Sequence, residues 1–149
     1  MGLKDQITED MKAAMRAKDS VRLGSIRLLQ AAIQRKEVDE RIQLDDAQVM
    51  AVVEKLIKQS RDSIEQYRKG GRDDLVQKEQ QDIAVWERYL PEPLDEAEID
   101  KLVQAAIGET GAASIKDMGK VMGVLKPRLQ GRADMGAVSA KVKAALAGR

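Results

Sequence analysis

The chain contains no cysteine, no histidine and no phenylalanine among its 149 residues. Its aromatic residues are Trp86, Tyr67 and Tyr89. Without cysteine there is no disulfide and no thiolate metal site, which fits a reducing compartment. Without histidine the commonest general base and the commonest metal ligand are missing. A sheet protein of this length normally carries more aromatic and β-branched residues. There is also no charge-poor apolar run near the roughly 18 residues a membrane-spanning helix needs. Lys4, Asp5, Glu9 and Asp10 interrupt the N-terminal apolar residues, where a secretory signal needs an unbroken apolar stretch. These absences predict a soluble cytoplasmic protein with no membrane partner.

What remains is helix-forming. Ala, Leu, Met, Lys, Arg, Glu and Gln dominate the composition. Leu3, Ile7, Met11, Ala14 and Met15 recur at helical spacing and predict a first helix over about 3–17. Asp19 or Ser20 caps a second, whose stripe is Ile26, Leu29 and Ile33 and which fades around Glu37–Arg41. Asp45 caps a third with Val49, Val53, Leu56, Ser60, Ile64 and Tyr67 on one face, and Gly70-Gly71 ends it. A fourth places Leu75, Ile83, Trp86 and Leu90 on one face. Leu90-Pro91-Glu92-Pro93-Leu94 stops it, because each proline biases the residue before it away from helix.

Three shorter helices follow. Asp95 caps one carrying Ile99, Leu102, Val103, Ala106 and Ile107, closed by Gly108 to Gly111. Ser114-Ile115-Lys116-Asp117 is a capping-box variant opening a second, with Met118, Val121, Met122 and Leu125 before Pro127 and Gly131. Asp134 caps the last, with Val138, Val142 and Leu146. The reading is an all-α protein: an N-terminal antiparallel helical bundle over 1–90 and a small three-helix C-terminal domain over 95–149.

Net charge is only +1, but it is unevenly spread. Residues 1–90 balance to zero, residues 91–113 to −5 and residues 114–149 to +6. A segregated basic tail points to an anionic partner.

Catalytic constellations are scarce. No serine lies in a Gly-x-Ser-x-Gly turn, and there is no phosphate-cradling Gly-x-x-x-x-Gly-Lys-Ser/Thr loop. A Ser–Lys pairing stays open, but no motif points to one. Asp45-Asp46 and Asp73-Asp74 lack the alternating spacing of a calcium loop and suit helix starts better. No catalytic residue, cofactor or metal site is assigned. Two clusters stand out. Arg68-Lys69-Gly70-Gly71-Arg72-Asp73-Asp74 with Lys78-Glu79 reads as a polar glycine turn, or else as a basic corner that meets a partner. In Met118-Gly119-Lys120-Val121-Met122-Gly123, the two glycines share one helix face. Each interior glycine costs about 1 kcal/mol relative to alanine, so the pair implies a purpose. One purpose is tight packing within the domain. The other is a bare surface for a sugar–phosphate backbone, with Lys116, Lys120, Lys126, Arg128, Arg132, Lys141 and Lys143 contacting phosphates beside Gly119 and Gly123. The basic excess favours the second.

Several stretches resemble the YqeY-like family of small bacterial proteins. They are Ile26-Arg27-Leu28-Leu29 with Ala32-Ile33, Gly71-Arg72-x-Asp74-Leu75 with Lys78-Glu79, Tyr89-Leu90-Pro91, and Met118 to Gly123 through Gly131-Arg132-Ala133-Asp134. The last block is the most specific, and the resemblance covers nearly the whole chain. That family shares its C-terminal region with the tail domain of the B subunit of the tRNA-dependent amidotransferase. That enzyme converts glutamate or aspartate misacylated on tRNA to glutamine or asparagine. Its chemistry lies elsewhere and its tail helps hold the tRNA. The resemblance therefore implies a helical tail, with tRNA or tRNA-processing and amidotransferase proteins as partners. It does not imply catalysis, and a glutamine-dependent carbon–nitrogen ligase activity would belong to the larger enzyme. Pro93 departs from the family pattern and implies a stiffer linker. The competing expectation is a protein–protein adaptor that uses a helical surface.

Overall fold

The computed structural model describes residues 2–148. Among them are seven α-helices and no strand, so the chain is all-α. It divides into two compact units between Leu90 and Pro91.

The first unit holds α1 (Leu3–Arg16), α2 (Ser20–Glu40), α3 (Asp46–Lys69) and α4 (Asp73–Trp86), closed by a 3₁₀ turn at Glu87–Tyr89. Side-chain carboxylates start α2 and α3. Asp19 accepts the Arg22 N–H at 3.1 Å. Asp45 and Gln48 bond reciprocally at 2.8 and 2.9 Å, which satisfies two N–H groups that the helix cannot. After α3 the chain reverses through Gly71 at φ +70°, a conformation that side chains with a Cβ resist. Asp73 and Asp74 then sit at the positive end of α4. The glycine corner spends its Arg72 on Asp74, with a two-pronged bond at 3.1 and 3.0 Å.

α3 packs along α4, α1 along α2, and α2 against both α3 and α4. Ile7, Ala14, Ile26, Leu29, Ile33, Leu44, Val49, Val52, Val53, Ile57, Trp86 and Tyr89 form the core. The periodicity of α4 predicted Leu75, Ile83, Trp86 and Leu90 as its inner face. Trp86 is buried as expected, and Ile83 and Leu90 pack partly buried against the core, but the structure also buries Val76 and Asp82 in α4 and Tyr89 just after it. A charged residue is tolerated there because it is paired. The Ser25 hydroxyl donates to Asp82 Oδ1, and Lys78 Nζ lies 3.6 Å from Oδ2. Ser60 likewise donates its hydroxyl to the Glu79 carboxylate. α2 is apolar on two sides. Ile26, Leu29 and Ile33 face inward, while Val21, Leu28, Val38 and Ile42 near its end face solvent.

The second unit holds α5 (Glu96–Thr110), a 3₁₀ turn at Ile115–Asp117, α6 (Met118–Leu129) and α7 (Met135–Leu146). Asp95 and Asp134 cap α5 and α7. Gly111 and Gly131, at φ +63° and +76°, reverse the chain after α5 and α6. The expected capping box at Ser114 is rearranged. Ser114 caps the 3₁₀ turn through the Lys116 N–H, and Asp117 Oδ2 accepts the N–H of Ala113 at 2.9 Å. α6 packs against both α5 and α7. Val121, Leu125 and Leu129 are its fully buried row, against Ile99, Val103, Ala106 and Ile107 of α5 and Val138, Val142 and Leu146 of α7. Burial of each leucine contributes about 1.5–3 kcal/mol. Residues 91–94 belong to this unit, where the Leu94 N–H donates to the Arg132 carbonyl at 2.9 Å.

Candidate nucleic-acid interface

The buried row of α6 fixes what its other side presents. Val121, Leu125 and Leu129 point inward, so Gly119, Gly123 and Pro127, each four residues apart, line the solvent side. A Cβ added at Gly119 or Gly123 would meet no atom within 4 Å. Neither glycine is therefore in close contact with a neighbouring helix of the unit. Pro127 has no N–H to return to the Gly123 carbonyl, so the main chain along this row is stripped of side-chain cover and of one hydrogen bond.

Lys120 and Lys126 are exposed on opposite flanks of this row, and Lys116 is exposed in the turn just before it. Ser139 on α7 touches the Met122 sulfur at 3.9 Å, so that edge of α7 adjoins α6, and Lys143 lies one turn further along the same edge. Among the described residues Lys116, Lys120, Lys126 and Lys143 make no ion pair. Asp117 is held below the usual carboxylate range chiefly by the Ala113 N–H, with a smaller contribution from Lys120 nearby.

The other basic residues of the expected set are already engaged. Arg128 grips Glu109 with two parallel bonds at 3.1 and 2.9 Å. The Arg128 guanidinium lowers the pKa of Glu109, and the Glu109 carboxylate raises that of Arg128. Lys141 reaches both Glu96 and Asp100, at 2.7 and 2.8 Å, and the two carboxylates raise its pKa, Asp100 first. Arg132 is half-buried and its Nε donates to the Glu92 carbonyl at 3.3 Å. Arg149, counted in the basic excess, lies outside the described residues. The −5 segment and the +6 segment are thus partly matched to each other across α5, α6 and α7. The acidic partners Glu96, Asp100 and Glu109 were missed from sequence, although the near-equal opposite balances of adjoining segments were the available signal.

A model of the family described as Yqey-like protein matches residues 4–146. Curated relatives share the name Altered inheritance of mitochondria protein 41, mitochondrial. The protein of Pyrenophora tritici-repentis is 36% identical over 141 residues, covering 93% of this chain and 77% of the relative. That of Eremothecium gossypii is 42% identical over 85 residues, covering 56% and 46%. That of Lachancea thermotolerans is 40% identical over 106 residues, covering 69% and 57%. The chain thus spans about three quarters of the first relative's length and about half of the other two. These names overturn the cytoplasmic expectation: curated relatives at 32–42% identity are mitochondrial proteins. The expectation rested on absent cysteine, an absent spanning segment and an N-terminus unlike a secretory signal, which speaks against secretion and not against the mitochondrion. No helix among the described residues is long and apolar enough to cross a membrane, but none of these features separates cytoplasm from mitochondrion. With a family model matched from residue 4 to residue 146, the chain belongs to the Yqey-like protein family.

Proposed function

We propose that the second unit binds tRNA through its sugar–phosphate backbone, as a non-catalytic accessory linked to tRNA-dependent amidotransfer. The observation that carries this is the exposed Gly119/Gly123 row. Gly119, in the first turn of α6, and Gly123, in its interior where glycine costs stability, both approach nothing else in their own chain. A row without side chains lets another backbone come close, and exposed Lys116, Lys120 and Lys126 on and just before α6, with Lys143 on α7, could supply the phosphate contacts. Residues 91–149 contain no aromatic side chain, so there is no platform on which an unpaired base could stack. The surface therefore suits the backbone of a folded RNA better than the bases of a single strand.

The test is tRNA affinity of the full chain at stepped salt concentrations. Four phosphate contacts give a log–log slope of roughly −3 to −4. Changing Lys116, Lys120 and Lys126 together to Ala weakens binding and flattens the slope. An affinity weaker than micromolar, or one insensitive to salt, overturns the reading.

A second reading, a protein adaptor, is favoured by one observation. Val21, Leu28 and Val38 on the outer side of α2 are 55, 48 and 67% exposed, which is unusual for three large apolar residues on one helix. Loss of partner proteins on changing Leu28 and Val38 to Asp, with tRNA binding absent, would select it.

A further inference from the structure

We infer that helix α5 is a built-in competitor for the polyanion. The Glu109 carboxylate on Arg128, and the Glu96 and Asp100 carboxylates on Lys141, occupy the positions that backbone phosphates would take. This rests on the tRNA reading and adds its regulation. The geometry carries it. Arg128 meets Glu109 through two parallel bonds, the same fork by which guanidinium grips a phosphate. Lys141 sits between two carboxylates at near-equal distances of 2.7 and 2.8 Å, as an ammonium sits between two anionic oxygens.

These pairs are on the surface. The Arg128 and Glu109 side chains are 43 and 50% exposed; Lys141 is 26% exposed, but its partners Glu96 and Asp100, at 83 and 61%, lie on the surface, so an incoming phosphate that displaces them reaches either cation without unfolding anything. Exchange of one anion for another on an exposed cation is nearly balanced in free energy, because exposed ion pairs are weak and screened. The carboxylates therefore lower affinity without abolishing it. They also reject weak or sparsely charged anions, since only a ligand that presents several phosphates at once displaces them. The free lysines around Gly119 and Gly123 make the first contact. The masked pair of cations joins only when the polyanion extends to the α5 side of the unit.

The experiment titrates the full chain with total tRNA at stepped salt. Glu109→Gln and the double change Glu96→Gln, Asp100→Asn are compared with charge-matched controls. Those controls are Glu98→Gln and the double change Glu92→Gln, Glu98→Gln, whose side chains make no ion pair among the described residues. Each unmasking variant is expected to bind up to about fivefold tighter than its control. Its log–log salt slope steepens by roughly 0.7 for each cation released. Salt-sensitive binding that appears only in the unmasking variants overturns the inference, because the carboxylates would then abolish affinity rather than lower it. If the wild-type chain binds and the unmasking variants match their controls, the inference falls and the tRNA reading stands. If neither the wild-type chain nor any variant shows salt-sensitive binding, the tRNA reading falls and takes the inference with it.

Discussion

The buried Ser25 hydroxyl donates to Oδ1 of the buried Asp82 at 2.5 Å, tying α2 to α4, and Trp86 adds its Nε1–H to the Ser25 carbonyl at 2.8 Å. Removing the hydroxyl leaves a buried carboxylate oxygen without its donor. Ser25→Ala should therefore cost about 1–3 kcal/mol in urea unfolding followed by Trp86 fluorescence. Adding Asp82→Leu should cost less than the sum of the two single changes, because the group left unpaired is then gone. Strict additivity would mean that the two residues are not coupled.

Tyr89 gives an alkaline prediction. Burial first, and its 2.7 Å hydrogen bond to Asp10 next, raise the phenol's pKa well above the ordinary value near 10. Arg22 and Arg88 oppose this. A folded pKa raised above the unfolded one means a contribution fully present below about pH 10, lost as pH climbs from there through the folded value. In a Tyr67→Phe chain, where Tyr89 is the one tyrosine, phenolate absorbance should appear together with loss of the helical circular dichroism signal. Phenolate that forms first, in a still-folded chain, contradicts the account.

Glu37 gives the acid counterpart. Its carboxylate accepts from Lys4 Nζ at 2.7 Å and from the Leu44 N–H at 2.8 Å, and these bonds, Lys4 first, hold its pKa below the usual carboxylate range. A depressed folded pKa contributes stability above the unfolded value, and that stability is lost as pH falls through the folded one. Glu37→Gln should lower the urea midpoint at neutral pH. The difference from wild type should shrink as pH drops below about 4. A pH-independent difference would assign the effect to lost packing.

Gly119→Ala and Gly123→Ala separate stability from binding. The open space above both glycines means that alanine at interior Gly123 should stabilise α6 by about 0.5–1 kcal/mol, and at first-turn Gly119 by less, each read as a higher thermal midpoint. The same changes should weaken tRNA binding, since a methyl group then stands on the bare row. A rise in midpoint with unchanged affinity would leave the glycines without a role in contact.

Much of the fold was legible because it is local. Asp19, Asp45, Asp95 and Asp134 cap helices in the structure, and glycines 71, 111 and 131 reverse the chain. These signals act within a turn of the residue that carries them. Asp82 was not legible, because its burial depends on Ser25, 57 residues away. The site was half legible for the same reason. The basic residues and the glycines could be named. That Arg128 answers to Glu109, 19 residues back, and Lys141 to Asp100, 41 back, follows only from how α5, α6 and α7 pack.

Trp86, Tyr67 and Tyr89 all fall in the first unit, and residues 91–149 contain no ring at all. The second unit is therefore dark in the near ultraviolet. A fluorescence melt follows the surroundings of Trp86, so unfolding confined to residues 91–149 leaves that trace flat. Transitions seen by fluorescence and by backbone circular dichroism will coincide only if the two halves melt together. A tryptophan placed at exposed Ile115 would light the dark half.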